Sequence, residues 1–209
     1  MKETKRLWIG LGVVVFGAFL VLGFFGREVY RKAPPIPERV LAVNGVEIAT
    51  RESILHGQEV WQRMGGQQIG SIWGHGAYQA PDWSADWLHR EATTLADIVS
   101  NSRFGAPTAG VSAENLALLR ERVKRDIRTN TFDAGTGVVT VSADRAEAIA
   151  ATAEHYMKLF GSDPGVDDLR ESYALHRNAV PDDADRRALT SFFFWTAWAC
   201  GTERPNSNV

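Results

Sequence analysis

Residues 65–83 read "GGQQIGSIWGHGAYQAPDW". Five glycines, two tryptophans, one His and no Cys leave three readings open. The stretch is a catalytic loop, a metal site, or the remnant of a site this chain no longer has. Glycines on both sides of His75 permit backbone angles that other residues avoid. The segment is expected to be a loop, and its neighbours frame it.

On its N-terminal side, "VLAVNGVEIAT" places Asn44-Gly45 between two β-branched runs, a strong hairpin signal. Thr50 is placed to cap a helix from Arg51 to about Met64, and Gly65-Gly66 ends it. On the C-terminal side a helix is predicted from near Ser84, with Leu88, Ala92, Leu95 and Val99 on one face. Another is predicted from Ser112 to about Arg128, with Leu116, Leu119, Val123 and Ile127 inward. "GVVTVS" at 137–142 reads as a short strand. Ser142 caps a helix bearing Ile149, Ala153, Tyr156 and Phe160, which "GSDPG" at 161–165 breaks. The last helix starts near Asp182. Its apolar run, Ala188 to Thr202, is short for a membrane span and is expected to be a core helix, its aromatics a core stripe. The chain then ends in the polar "ERPNSNV".

Leu7 to Gly26 run 20 positions without a charge, enough at about 1.5 Å per residue to span a bilayer core of roughly 30 Å. Bulky and basic residues, "GFFGREVYRK", stand where a signal peptidase would need small ones, so a retained anchor is expected. The divisions expected are a tail at 1–6, an anchor at 7–26, a linker at 27–37 containing "APPIP", and a folded domain at 38–209. Lys2, Lys5 and Arg6 balance Arg27, Arg31 and Lys32, so charge does not set orientation. Residues 1–32 hold six Lys/Arg against two Asp/Glu; the rest holds 17 against 23. An acidic domain is a poor nucleic-acid binder, whereas the basic flanks suit lipid headgroups.

The single Cys, Cys200, rules out an intramolecular disulfide, a CxxC redox pair, a Cys-rich zinc site and a CxxCH haem attachment. None of the five histidines stands at a recognised metal spacing. His56, His155 and His176 read as surface or hydrogen-bonded residues, and His89, beside Arg90 and Glu91, as a polar helix residue. No nucleophile elbow, P-loop or dinucleotide fingerprint is present.

The segment "GSIWGHGAYQAPDWSADWLHRE" closely resembles the N-terminal region of quinol-dependent nitric oxide reductase. "GQEVWQRMGG" at 57–66, "RTNTFD" at 128–133 and "LTSFFFWTAWACGTERP" at 189–205 extend the resemblance in register. It implies a mainly α fold with minor β: one transmembrane helix, then a cytochrome c-like helical domain lacking haem c. In the related two-subunit enzymes a CxxCH precedes "GEGAYYAPDL". Counted back from Gly76–Tyr78, its five positions fall on Gly66, Gln67, Gln68, Ile69 and Gly70. None supplies a thioether Cys or a proximal His. The resemblance thus implies an emptied haem c site, with Gly74, His75, Gly76, Tyr78, Pro81, Asp82 and Trp83 as its structural signature. Trp61, Trp73, Trp83 and Trp87 are expected to supply the lost bulk, and His75 to be a buried structural residue.

No cofactor and no catalytic residue is expected in this chain. Haem b, haem b3 and non-haem iron are expected in a catalytic membrane helix bundle of the same or a companion chain. The other expected partners are the lipid bilayer and quinol near the interface, with the domain periplasmic on a single pass through the inner membrane. The chain is expected to be a fragment or a split subunit. Two other readings remain: a cytochrome holding haem non-covalently through a His or Met, with Met64 and Met157 available, and a membrane-tethered sensor or assembly module.

Overall fold

The computed structural model describes residues 2–204, with side chains from residue 4 onward; the tail residues 205–209 lie outside them. The chain divides into two units, Met1–Pro35 and Ile36–Val209.

The first unit is one helix, α1 (Lys2–Lys32). Thr4–Lys32 is long and apolar enough to cross a membrane. The helix outlasts its uncharged run by six residues because Glu28 pairs with Arg31 and Lys32 at 3.4 and 3.1 Å. The linker expected over 27–37 is therefore confined to the residues after Lys32, where Pro34 and Pro35 forbid helix.

The second unit is helical with a small sheet. A hairpin, β1 (Arg39–Ala42) and β2 (Glu47–Thr50), turns at Gly45, whose φ is +85°. Thr50 caps α2 (Arg51–Arg63) in a reciprocal capping box with Ser53. A glycine-rich loop containing the two-residue strands β3 (Ser71–Ile72) and β4 (His75–Gly76) leads to α3 (Trp83–Phe104). Ser112 caps α4 (Ala113–Arg128). Strands β5 (Phe132–Asp133) and β6 (Val138–Val141) precede α5 (Ala143–Phe160), capped by Ser142. A six-residue helix, α6 (Asp167–Ser172), and α7 (Asp183–Gly201), capped by Asp182, complete the unit. The sheet order is β2-β1-β6-β5. β6 pairs parallel to β1 and so joins residues separated by about a hundred positions.

The core lies where α2, α3, α5 and α7 meet. Ala188–Thr190 and Phe192–Ala199 of α7 are all buried, so that run is a core helix, as its length implied. Gly57 lets α2 press directly on α7: a Cβ there would stand 2.0 Å from the Ala188 carbonyl oxygen. A second cluster, Leu95, Val99, Leu119, Val123, Ile127 and Ala148, seats α4 on α3 and α5. Between the clusters lies a buried ion pair. Arg145 Nε donates to Glu91 at 2.7 Å and Nη1 to the Asp126 carbonyl at 3.0 Å. The Trp87 indole N–H donates to the other Glu91 oxygen at 2.9 Å. Each charge thus gains hydrogen bonds that offset its desolvation.

Candidate functional site

The loop after α2 is shaped by glycine. Gly65 and Gly66, at φ +127° and +55°, turn the chain out of α2. Gly66–Ile69 then form one 3-10 turn, closed by Gly70 at φ +120°. A Cβ at Gly70 would lie 2.4 Å from Nε1 of Trp83 and 2.9 Å from the Pro81 carbonyl oxygen. The Trp83 indole N–H donates to the Ile69 carbonyl at 3.1 Å. One tryptophan thus both fills the space behind "GQQIG" and satisfies a carbonyl of its backbone.

Behind Trp83 the aromatics are continuous. Trp83 stacks on Phe193 at 5.5 Å and meets Phe160 edge-on at 5.4 Å. Trp87 stacks on Tyr156 at 5.2 Å. Trp83 and Trp87 are fully buried. The other two expected fillers are elsewhere. Trp61 packs on Phe192, and Trp73 lies half-exposed over Trp195. Aromatic burial of this kind dominates the energy of a core.

Asp82 ties the loop to α3. Its carboxylate caps α3 through the Ala85 N–H at 3.0 Å. The other oxygen accepts from the Ser71 hydroxyl at 2.8 Å and the Gly74 N–H. Burial works to raise the Asp82 pKa, but the hydrogen bonds from Gly74, Ser71, Ala85 and Ser84 outweigh it, and the carboxyl ionises below its usual range. The Pro81 carbonyl accepts from the Ser71 N–H at 3.2 Å. Gly76 is at φ +149°, and a Cβ there would lie 2.3 Å from the Gly70 carbonyl oxygen.

The structure brings Gly70, Gly74, Gly76, Pro81, Asp82 and Trp83 together as one folded loop. His75 and Tyr78 point away from it. His75 is exposed, which corrects the expectation of a buried imidazole: β4 is two residues long, and the side chain opposite the packed face of Gly76 meets solvent. His56 is satisfied by Asp185 at 2.7 Å, and His89 and His176 are exposed. His155 stands edge-on to Tyr156, its Nε2 buried without a hydrogen-bond partner among the described residues. The sequence signature includes Asp82 but not its role as a hydrogen-bonding hub, because the sequence pattern sets the start of α3 near Ser84. The Asp-x-x preceding Ala85 carried the cap signal.

Haem c does not fit this loop. The segment offers glycine, glutamine and isoleucine where thiols and an imidazole are required. Trp83 stands where any side chain at Gly70 would project. Among the described residues no group of three or more His, Cys, Asp or Glu converges on a metal position.

Compared against known families, residues 37–209 match the cytochrome c-like domain of the nitric oxide reductase polypeptide NorB. The chain belongs to that family. A comparison with the curated proteins gives no match. For this NorB cytochrome c-like domain, the resemblance carried by the separate sequence blocks and the match over the whole folded unit agree. They also agree with the mainly helical fold of that unit.

Proposed function

We propose that this chain is a membrane-anchored, haem-free cytochrome c-like domain serving a quinol-dependent nitric oxide reductase. The reaction served is 2 NO + 2 e⁻ + 2 H⁺ to N₂O + H₂O. The packing of Trp83 against Gly70 carries the reading, because the position matching the haem-ligating His of related cytochromes has become backbone under an indole. The domain relays no electrons of its own. It holds a fixed surface beside the part that binds haem b, haem b3 and non-haem iron, close to where quinol is oxidised. Its α1 anchors it in the inner membrane with the second unit in the periplasm.

Spectroscopy of the purified full chain tests this. The expected result is no Soret band. A band surviving acid-acetone extraction means covalent haem and overturns the reading. A band lost on extraction favours a cytochrome with non-covalent haem instead. For the topology, protease added to spheroplasts is expected to digest the second unit, and complete protection places it in the cytoplasm.

A further inference from the structure

A cavity of about 330 Å³ opens between the C-terminal half of α4, strand β6 and the start of α5. Its size falls within the range of small-molecule sites. Three arginines line it, Arg122, Arg125 and Arg145, against one carboxylate, Asp126. The folded unit as a whole has the opposite balance, since residues 33–209 hold 17 Lys/Arg against 23 Asp/Glu.

The charge of this cluster is unspent. Arg122 and Arg125 stand three apart on α4, so their side chains are neighbours of like charge. Both are exposed, and neither guanidinium has a hydrogen bond or ion pair among the described residues. The helix dipole favours a basic residue in the last turn of α4, where Arg125 stands, but gives no reason for Arg122 before it. Arg145 is 2% exposed. Its Nε and Nη1 are satisfied by Glu91 and the Asp126 carbonyl, whereas its Nη2 is buried with no hydrogen-bond partner among the described residues. Native structures pair almost all such buried donors, with a bound ion where the protein offers no acceptor. Asp126 does not fill the gap. Its Oδ2 accepts from the Ser142 hydroxyl at 2.7 Å, and its carboxylate makes no ion pair with the three arginines among the described residues.

The donors converge from three elements: two guanidiniums on α4, one on α5, and the Thr140 hydroxyl on β6, which has no acceptor of its own among the described residues. A carboxylate offers two oxygens and one charge. A phosphate group offers three acceptor oxygens and up to two charges, and guanidinium forks match it. That suits three arginines with one carboxylate beside them. Val43 and Val141 add apolar wall, and inorganic phosphate alone is smaller than the cavity. We propose that this cavity binds a phosphate ester, with its phosphate held between Arg122 and Arg125 over Arg145 and its organic part against the two valines. A soluble monoester and a lipid headgroup both present this chemistry, and the test separates them.

The test is isothermal titration calorimetry on the full chain in a non-ionic detergent, with inorganic phosphate as the probe at constant ionic strength. One saturable site is expected. Arg122→Gln and Arg125→Gln are each expected to weaken it at least about tenfold, as loss of one hydrogen bond from a charged group does. Both side chains are exposed, so the melting temperature without phosphate is expected to stay unchanged. Arg120→Gln, exposed on the same helix but outside the cavity lining, is expected to bind like the wild type. Glycerol phosphate and dihexanoyl phosphatidylglycerol are then titrated as competitors. Displacement by glycerol phosphate alone identifies a soluble monoester as the ligand class, and displacement by the lipid identifies a headgroup. Displacement by neither overturns the ester. Absence of saturable phosphate binding overturns the site, as does an equal loss in Arg120→Gln, which would mean diffuse surface charge. The reductase reading does not depend on any of these results.

Discussion

At the scale of single residues, the loop separates glycines that are sterically required from side chains that are free. Gly76→Val forces a β-branched residue into φ +149° and onto the Gly70 carbonyl, so a loss of at least about 2 kcal/mol is expected in urea unfolding. His75→Ala, one residue away on an exposed side chain, is expected to stay within about 0.5 kcal/mol. A His75→Ala variant that unfolds would show that the imidazole is held after all. Gly70 and Trp83 are expected to be coupled. Trp83→Ala alone removes a buried indole at a cost of about 3–5 kcal/mol, and Gly70→Ala alone drives a methyl into that indole. In a double-mutant cycle the pair should cost less than the sum of the two, since removing the ring relieves part of the clash. Strict additivity would mean that the indole does not set the glycine requirement. The sequence showed that Gly70 could not ligate iron. It could not show which side chain packs behind that backbone, because four tryptophans lay within reach and only three-dimensional packing selects Trp83.

At the scale of elements, what was legible was local, and what was missed was either short or long-range. Thr50 and Ser142 cap their helices as a side-chain oxygen before apolar periodicity implied, and Ser112 and Asp182, read from the sequence only as helix starts, prove to be caps as well. The pairing of β1 with β6 was invisible, because no local pattern specifies a partner about a hundred residues distant. α6 was missed because six residues carry too little periodicity to read. Yet α6 contributes Arg170, which is fully buried and finishes α5. Its Nε donates to the Leu159 carbonyl at 2.8 Å, and its other nitrogens reach the carbonyls of Lys158 and Asp163. The Lys158 and Leu159 carbonyls are orphan acceptors at the end of α5, satisfied from outside the helix, and Asp163 lies in the turn that follows. Arg170→Met keeps the apolar stem and strands the carbonyls. At about 1–3 kcal/mol per unsatisfied buried group, a loss of about 3 kcal/mol or more is expected, with α5 the first helix to lose amide protection in hydrogen exchange. A loss under about 0.5 kcal/mol, the range of ordinary surface changes, would show that water replaces the guanidinium.

At the scale of the whole molecule, the burial of two groups on α5 and the hydrogen bonds that hold Asp82 shape how stability depends on pH. His155 is held below its usual value of 6.5, first by burial and then by the nearby Arg90. The unfolded chain therefore takes up this proton before the folded one does. The contribution is complete above about pH 6.5 and is lost as pH falls from there through the depressed folded value. Asp82 is also held below its reference value of 3.8, so its contribution is lost in a second, more acid window below that pH. Tyr156 runs the other way. Burial and the neighbouring Asp86, to which its hydroxyl donates at 2.6 Å, push its pKa well above 10.0. The unfolded chain gives up that proton first, and stability falls as pH rises past about 10. The melting temperature of the full chain is thus expected to form a plateau with one alkaline and two acid shoulders. His155→Gln should flatten the shoulder just below pH 6.5 and leave the one below pH 3.8. Asp82→Asn should do the reverse, and Tyr156→Phe should flatten only the alkaline side. A profile unchanged by all three substitutions would place the pH dependence in the exposed charges instead. In that case it would weaken with added salt, as screened surface interactions do.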